Sequence, residues 1–350
     1  MQEMPFDIAL ILPDGTREAV CCRETLRTIT GRRTVFAGVW QGRSVIVKRF
    51  EDFFSGYRCG REKRGLERLL SRGLATPKVL LTGKDAAGHH ILVIEKIENA
   101  VDVLAAVYSA SSEDAAREIL LAVFRYVARM HQAGVVQKDL HLGNFLIAES
   151  AVFAIDPACM RFGGTPISLV QSRRQLAILF ASLHRSTLSW REELLRAYCL
   201  VRGFAFGPEL GRAVCLLTKR RRMKMLGHTL KKTLRNSKDF FILNIPPYRG
   251  VFYKEVFDES SARRMIERVK STTVSDDLPR IVDLNGRKYR IACYQPKNRI
   301  LAFWYRLAGS PARRDWLAAW GSRYSGRPVP KPAALIEPPY GLAWLITEKE

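Results

Sequence analysis

Acidic residues are scarce in this chain of 350: 34 Asp+Glu stand against 57 Lys+Arg, a formal net charge of +23. Such an excess predicts attraction to something polyanionic, whether nucleic acid, an anionic membrane face or a phosphorylated substrate. The seven cysteines are scattered and never spaced Cys-x-x-Cys, which argues against a disulfide framework or a zinc site and fits a reducing cytosol. No run approaches the roughly 18 apolar residues that a membrane-spanning helix needs. The first residues, MQEMPFDIALILPDGTRE, lack a basic stretch leading into an apolar one, so no secretory signal is expected. A composition 47% hydrophobic and 26% charged is neither collagen-like nor that of a disordered chain. The length suggests two or three folding units.

Hydrophobic periodicity organises what is present. Short alternating segments from Leu10 to Phe50, with turn signals at Pro13-Asp14-Gly15, Gly31 and Gln41-Gly42, predict a small antiparallel sheet. A helix is expected over Arg61 to Arg72, closed by Gly73, and strands over Lys78 to Leu81 and His90 to Glu95. Residues 113 to 132 repeat Ile119, Leu120, Val123, Tyr126, Val127 and Met130 at helical spacing, with Ser112 and Glu113 at the start. His131 falls at that helix's end, where the dipole favours a positive charge. After a polar stretch, Gln137 to Asn144, come two apolar segments, Phe145-Leu146-Ile147 and Val152 to Ile155, and then helices to about Arg235. The outline is a small sheet with one helix, followed by a helical lobe.

The tail resembles the beginning. At an offset of 253 residues, Gly73-Leu-Ala-Thr-Pro77-Lys78 lies over Gly326-Arg-Pro-Val-Pro330-Lys331 and Arg61-Glu62 over Arg314-Asp315, and further on Leu92-Val-Ile-Glu95-Lys96 matches Leu345-Ile-Thr-Glu-Lys349. Gly286 to Cys293 takes roughly the place of Gly42 to Lys48, without a lysine in the corresponding slot. Residues from about 240 to 350 therefore read as a second, degenerate copy of the first lobe.

The chemistry concentrates in Gln137-Lys138-Asp139-Leu140-His141-Leu142-Gly143-Asn144, followed by Ile155-Asp156-Pro157. Phosphoryl transfer needs a carboxylate that can accept a hydroxyl proton and hard oxygen ligands for Mg²⁺; Asp139 offers the first, Asn144 and Asp156 the second. Upstream, Val45-Ile-Val-Lys48 ends an apolar strand with a lysine, and Glu62 on the next helix, with Glu67 beyond it, can hold that lysine against nucleotide phosphates. His141 is expected to brace the loop by bonding backbone. Lys219 to Lys238 holds nine basic residues and no acid, with Met223, Leu226, Leu230 and Leu234 at helical steps. This is either a core-packed terminal helix or a basic amphipathic helix drawn to an anionic leaflet or glycolipid. Trp40, Trp190, Trp304, Trp316 and Trp320 are not interleaved with the basic run, so nucleic acid is not expected as a partner.

Together these residues resemble the protein-kinase-like superfamily, and more narrowly the lipopolysaccharide core kinases of Gram-negative bacteria, which phosphorylate Kdo or heptose sugars. The resemblance is carried by Gly31 to Phe50, Arg61-Glu62, Asp139 to Asn144, Ile155-Asp156 and Arg173 to Ala177, over about residues 10 to 235. It implies an α+β, bilobal protein-kinase-like fold: a sheet lobe (1–98), a helical lobe carrying the catalytic loop and basic terminal helix (99–238), and the degenerate sheet-lobe repeat (239–350). It further implies ATP and Mg²⁺ as cofactors and Asp139 as catalytic base, with Lys138 or Arg161 offsetting charge on the transferring phosphoryl. Lys48, Glu62, Gly31, Gly38 and Glu95 would hold nucleotide, and Asn144 and Asp156 the metal. Glu62 is preferred to Glu67 because Arg61 to Leu66 fits the family's helix motif.

Departures qualify the resemblance. Gln137-Lys138 replaces His-Arg, Asp156-Pro157-Ala158 replaces Asp-Phe-Gly, no Ala-Pro-Glu follows, and the glycine loop is degenerate. Asp139-Leu-His-Leu-Gly-Asn144 is similar to small-molecule kinases of the aminoglycoside and choline type. The expected acceptor is a sugar hydroxyl of the lipopolysaccharide core, reached at the cytoplasmic face of the inner membrane. The alternatives are a non-catalytic kinase-like scaffold and a cytosolic small-molecule phosphotransferase.

Overall fold

The structure, a computed structural model, describes residues 4–270, 280–284, 286–338 and 342–349. It is 42% helical and 30% strand, an α+β protein. The chain divides into two compact units, Met1–Arg221 and Arg222–Glu350.

The first unit opens with β1 (Phe6–Ile11), β2 (Arg17–Ile29), β3 (Arg33–Trp40) and β4 (Arg43–Phe50), joined by tight turns. Then come α1 (Ser55–Leu70), β5 (Val79–Lys84) and β6 (His90–Glu95). The expected sheet closes on itself as a barrel of order β1-β2-β3-β4-β6-β5, sealed where Ile11 pairs with Lys84. Inward positions of β1 to β6, among them Leu10, Val20, Phe36, Val45, Val47, Ile91 and Val93, fill it. Helix α1 starts six residues before the expected Arg61, because Gly56 and Gly60 are accommodated in the helix rather than ending a loop.

Next follow β7 (Val101–Asp102), α2 (Val103–Tyr108) and α3 (Glu113–Gln132), the last capped by Ser112, whose hydroxyl accepts from the Ala115 N–H. Short strands β8 (Val135–Gln137), β9 (Phe145–Ala148), β10 (Ala151–Ala154) and β11 (Met160–Phe162) carry the polar loops. Helices α4 (Leu169–Ser182), α5 (Arg191–Arg202) and α6 (Pro208–Lys232) complete the run. The apolar face of α3 is the centre of this core, packed with Leu176, Phe180, Leu194 and Tyr198 of α4 and α5.

His131 departs from its expected role. It is buried and not a charge on the helix end: desolvation, reinforced by the Arg202 guanidinium, pushes its imidazole down to about 3. Arg202 Nη1 donates to the Tyr198 hydroxyl, 3.0 Å away, and that hydroxyl lies 2.7 Å from His131 Nδ1. The basic run also differs from expectation. Helix α6 ends at Lys232, Met223 is exposed, and the packed residues Leu230 and Leu234 belong to the core of the second unit, so no single apolar stripe runs through it.

The second unit contains β12 (Phe240–Ile245), β13 (Tyr248–Tyr253), α7 (Glu259–Lys270), β14 (Arg280–Leu284), β15 (Arg287–Tyr294), α8 (Arg299–Ala308), α9 (Pro311–Tyr324), β16 (Pro332–Glu337) and β17 (Ala343–Glu348). Its six strands form a sheet of order β12-β13-β16-β17-β15-β14. Both faces are covered, one by α7 residues such as Met265 and Ile266, the other by Trp316 and Trp320 of α9. Buried on both sides, β16 and β17 read as continuous apolar runs rather than alternating ones.

The same strand register recurs in both units. Strands β16 and β17 lie 253 residues after β5 and β6 at both ends, and their pairing is the same: Val79↔Ile94 and Leu81↔Val93 recur as Pro332↔Thr347 and Ala334↔Ile346, with the irregularity at the same step. Likewise β4 on β6 and β15 on β17 pair identically, so that Ala292, opposite Leu345, takes the place of Lys48, opposite Leu92. Asp315, in the place of Glu62, accepts from the Tyr294 hydroxyl at 2.7 Å.

Candidate functional site

Strand β4 delivers Lys48 and helix α1 delivers Glu62. Both side chains are buried, and Lys48 Nζ donates to Glu62 Oε1. Helix α1 presents Glu62 on its inner face together with Cys59, Gly65, Leu66 and Leu69, whereas Glu67 is exposed. A buried charge requires a partner, and Glu62 has two: Arg33 Nη1, at the start of β3, donates to its other oxygen at 3.1 Å. The second nitrogen of Arg33 lies 3.9 Å from Asp156 Oδ2. Arg33 therefore links the Lys48–Glu62 pair to Asp156.

Asp156 follows β10 and adopts a left-handed conformation, φ 56° and ψ 62°, before a 3₁₀ turn over Pro157–Cys159. That turn presses on α1 at Gly65, where a Cβ would come within 2.7 Å of the Pro157 ring. Only glycine permits this approach, which holds the Asp156 turn against the helix bearing Glu62. The residues of the 137–144 loop join by backbone: Asn144 Nδ2 donates to the Asp139 carbonyl at 2.6 Å, and the Ile155 N–H donates to the Asn144 carbonyl at 2.8 Å. Asp139 is exposed, with His141 Nε2 3.7 Å from its carboxylate, so the His141 ring faces this acid rather than the expected backbone. Lys138, just past β8, and Arg161, in the middle of β11, are both exposed, and the Lys138 N–H donates to the Cys159 carbonyl.

Lys48, Glu62, Asp156, Asn144 and Asp139 thus form one chain of contacts. Three other expected nucleotide residues sit outside it. Gly31 turns the β2–β3 hairpin at φ +67°. Gly38 is buried where any side chain would strike the Cys21 carbonyl across β2, a packing reason for glycine. Glu95 turns its carboxylate to the Lys78 N–H, 3.3 Å away.

Sequence reasoning missed the arginines. A cavity of about 600 Å³ beside Glu62 and Asp156 is lined by Arg27, Arg32, Arg33, Arg58 and Arg61. Arg58 is paired with Asp52. The alternation of Arg27, Ile29 and Arg33 around the Gly31 turn was the available signal. Such a wall suits phosphate oxygens.

As to a divalent metal, no group of three or more His, Cys, Asp or Glu side chains is placed to hold one among the described residues. Mg²⁺ is commonly held by one or two protein oxygens together with substrate phosphates. With its amide nitrogen committed to the Asp139 carbonyl, Asn144 offers its oxygen, and Asp156 a carboxylate, both hard donors of the kind Mg²⁺ takes.

No curated protein matches the chain. Residues 31–157, which hold Lys48, Glu62, Asp139, Asn144 and Asp156, match the lipopolysaccharide kinase (Kdo/WaaP) family, a family of phosphotransferases.

Proposed function

We propose that the first unit is a bilobal, protein-kinase-like enzyme that transfers the γ-phosphoryl of ATP to a sugar hydroxyl of the lipopolysaccharide core. The observation carrying this reading is the continuous set of contacts from Lys48 through Glu62 and Arg33 to Asp156, and from Asn144 to Asp139.

In this reading Lys48, oriented by Glu62, holds nucleotide phosphate oxygens. Asn144 and Asp156 would hold Mg²⁺, which would supply neutralisation of the phosphate charge. Asp139, exposed to incoming acceptor, orients the sugar hydroxyl and takes its proton. The arginines beside Asp156, with Lys138 and Arg161, compensate charge on the transferring group. The acceptor lies on a membrane glycolipid, and the protein works at the cytoplasmic face of the inner membrane.

Labelled ATP and core oligosaccharide from a strain lacking the protein test this directly. Label is expected in the sugar, and Asp139→Asn should abolish transfer while nucleotide still binds. Near-full transfer by that variant refutes the role of Asp139. One observation favours a non-catalytic scaffold instead: an arginine stands 3.9 Å from the carboxylate that the metal would need. Nucleotide binding indifferent to Mg²⁺ would support that second reading.

A further inference from the structure

Helix α8 is a surplus element. Unit one connects β4 to α1 through residues 51–54, whereas the equivalent connection between β15 and α9 runs over residues 295–310 and folds a ten-residue helix within it. The identical register on either side shows that the sheet does not need this helix. Its sequence, RILAFWYRLA, places Ile300, Phe303, Trp304 and Leu307 at i, i+3, i+4 and i+7, one face of a helix. That face points outward: the four side chains are 71%, 60%, 57% and 64% exposed. None of the helix's described side chains is buried.

A helix this short is marginal in water by itself, and its apolar stripe gains nothing from solvent. Charge around it selects the occupant. Lys297 and Arg299 are exposed at its start, and no Asp or Glu falls between Lys297 and Arg314. Cationic flanks with a Phe/Trp/Leu face suit the headgroup boundary of an anionic bilayer, where aromatic rings sit with their apolar bodies buried.

We infer that α8 is an interfacial anchor that lays Ile300, Phe303, Trp304 and Leu307 into an anionic membrane surface. The inference transfers the membrane contact expected of the Lys219 to Lys238 run to a different element, and it does not rest on the catalytic reading. Vesicle binding is measurable without ATP.

Trp304 is the one exposed tryptophan of the six, so it serves as its own reporter. The full chain is mixed with vesicles of phosphatidylcholine alone, or of phosphatidylcholine with phosphatidylglycerol, with and without brominated acyl chains. Co-flotation with the anionic vesicles, weakened by salt, and quenching of Trp304 by brominated lipid are expected. Ile300→Ser and Phe303→Ser, both at exposed positions, should each lower partitioning about tenfold, with an unchanged circular dichroism spectrum and unchanged transfer to a soluble oligosaccharide. Three results overturn the inference: no flotation, flotation insensitive to both variants, or a dimer in sedimentation that Phe303→Ser dissociates, which would make the stripe a contact between copies. Failure of phosphoryl transfer with vesicle binding intact would count against the catalytic proposal alone.

Discussion

Lys48→Met tests the electrostatics at the centre of the site. Glu62 is 1% exposed and is held by two cations, Lys48 and Arg33. Removing one partner from a buried ion pair costs ~3–5 kcal/mol, because the remaining charge keeps its desolvation penalty without its compensation. Arg33 stays within 3.1 Å of Glu62 and retains part of that compensation, so a cost of ~2–3 kcal/mol is expected for the single substitution. Neutralising both members, Lys48→Met with Glu62→Gln, leaves no buried unpaired carboxylate and should cost less than Lys48→Met alone. Because the chain has two units, a global unfolding curve mixes them. Native-state hydrogen exchange at Val47 and Val93, whose amides lie in the β4–β6 ladder, reads the first unit locally. A double variant as unstable as the sum of the singles, or a Lys48→Met cost below ~0.5 kcal/mol, would refute the reasoning.

Stability of the first unit should fall on mild acidification. His131 has its folded pKa at about 3, below an unfolded value near 6.5, so the unfolded chain binds the extra proton and stability is lost as pH drops through 6.5. At pH 5 the loss is ~2 kcal/mol, and His131→Asn should flatten this dependence in native-state hydrogen exchange of the first unit followed across pH. Gly65→Ala should destabilise by ~1–3 kcal/mol and depress transfer, since the new methyl strikes Pro157 beside Asp156. Gly211→Ala, in open space on α6, should instead stabilise by ~0.5–1 kcal/mol, both read by native-state hydrogen exchange in the first unit. Asn144→Asp keeps an oxygen for a metal but sets a carboxylate against the Asp139 carbonyl, now 2.6 Å from an amide donor. It should therefore lose transfer activity as fully as Asn144→Ala.

Much of the architecture is legible in one dimension. Ser112 followed by an acidic first turn and a 3.6-residue apolar repeat marks α3, and the run His90 to Glu95 marks β6, because local propensity and burial agree there. The 253-residue offset is visible as a few matched residues and becomes a shared hydrogen-bond register in three dimensions. The residue types of Lys48, Glu62, Asp139, Asn144 and Asp156, and their order, are already in the sequence what the proposed phosphoryl transfer calls for.

Other features depend on what packs against what. Whether an imidazole at a helix end carries charge depends on solvent access, and burial beside Arg202 keeps His131 neutral. Arg33 becomes part of the site because the β2–β3 turn brings it to α1, a meeting that spacing along the chain does not encode. The apolar stripe of α8 looks like any core-facing helix in the sequence. Exposure alone distinguishes it, because periodicity reports that a face is apolar and only folding determines whether protein covers that face.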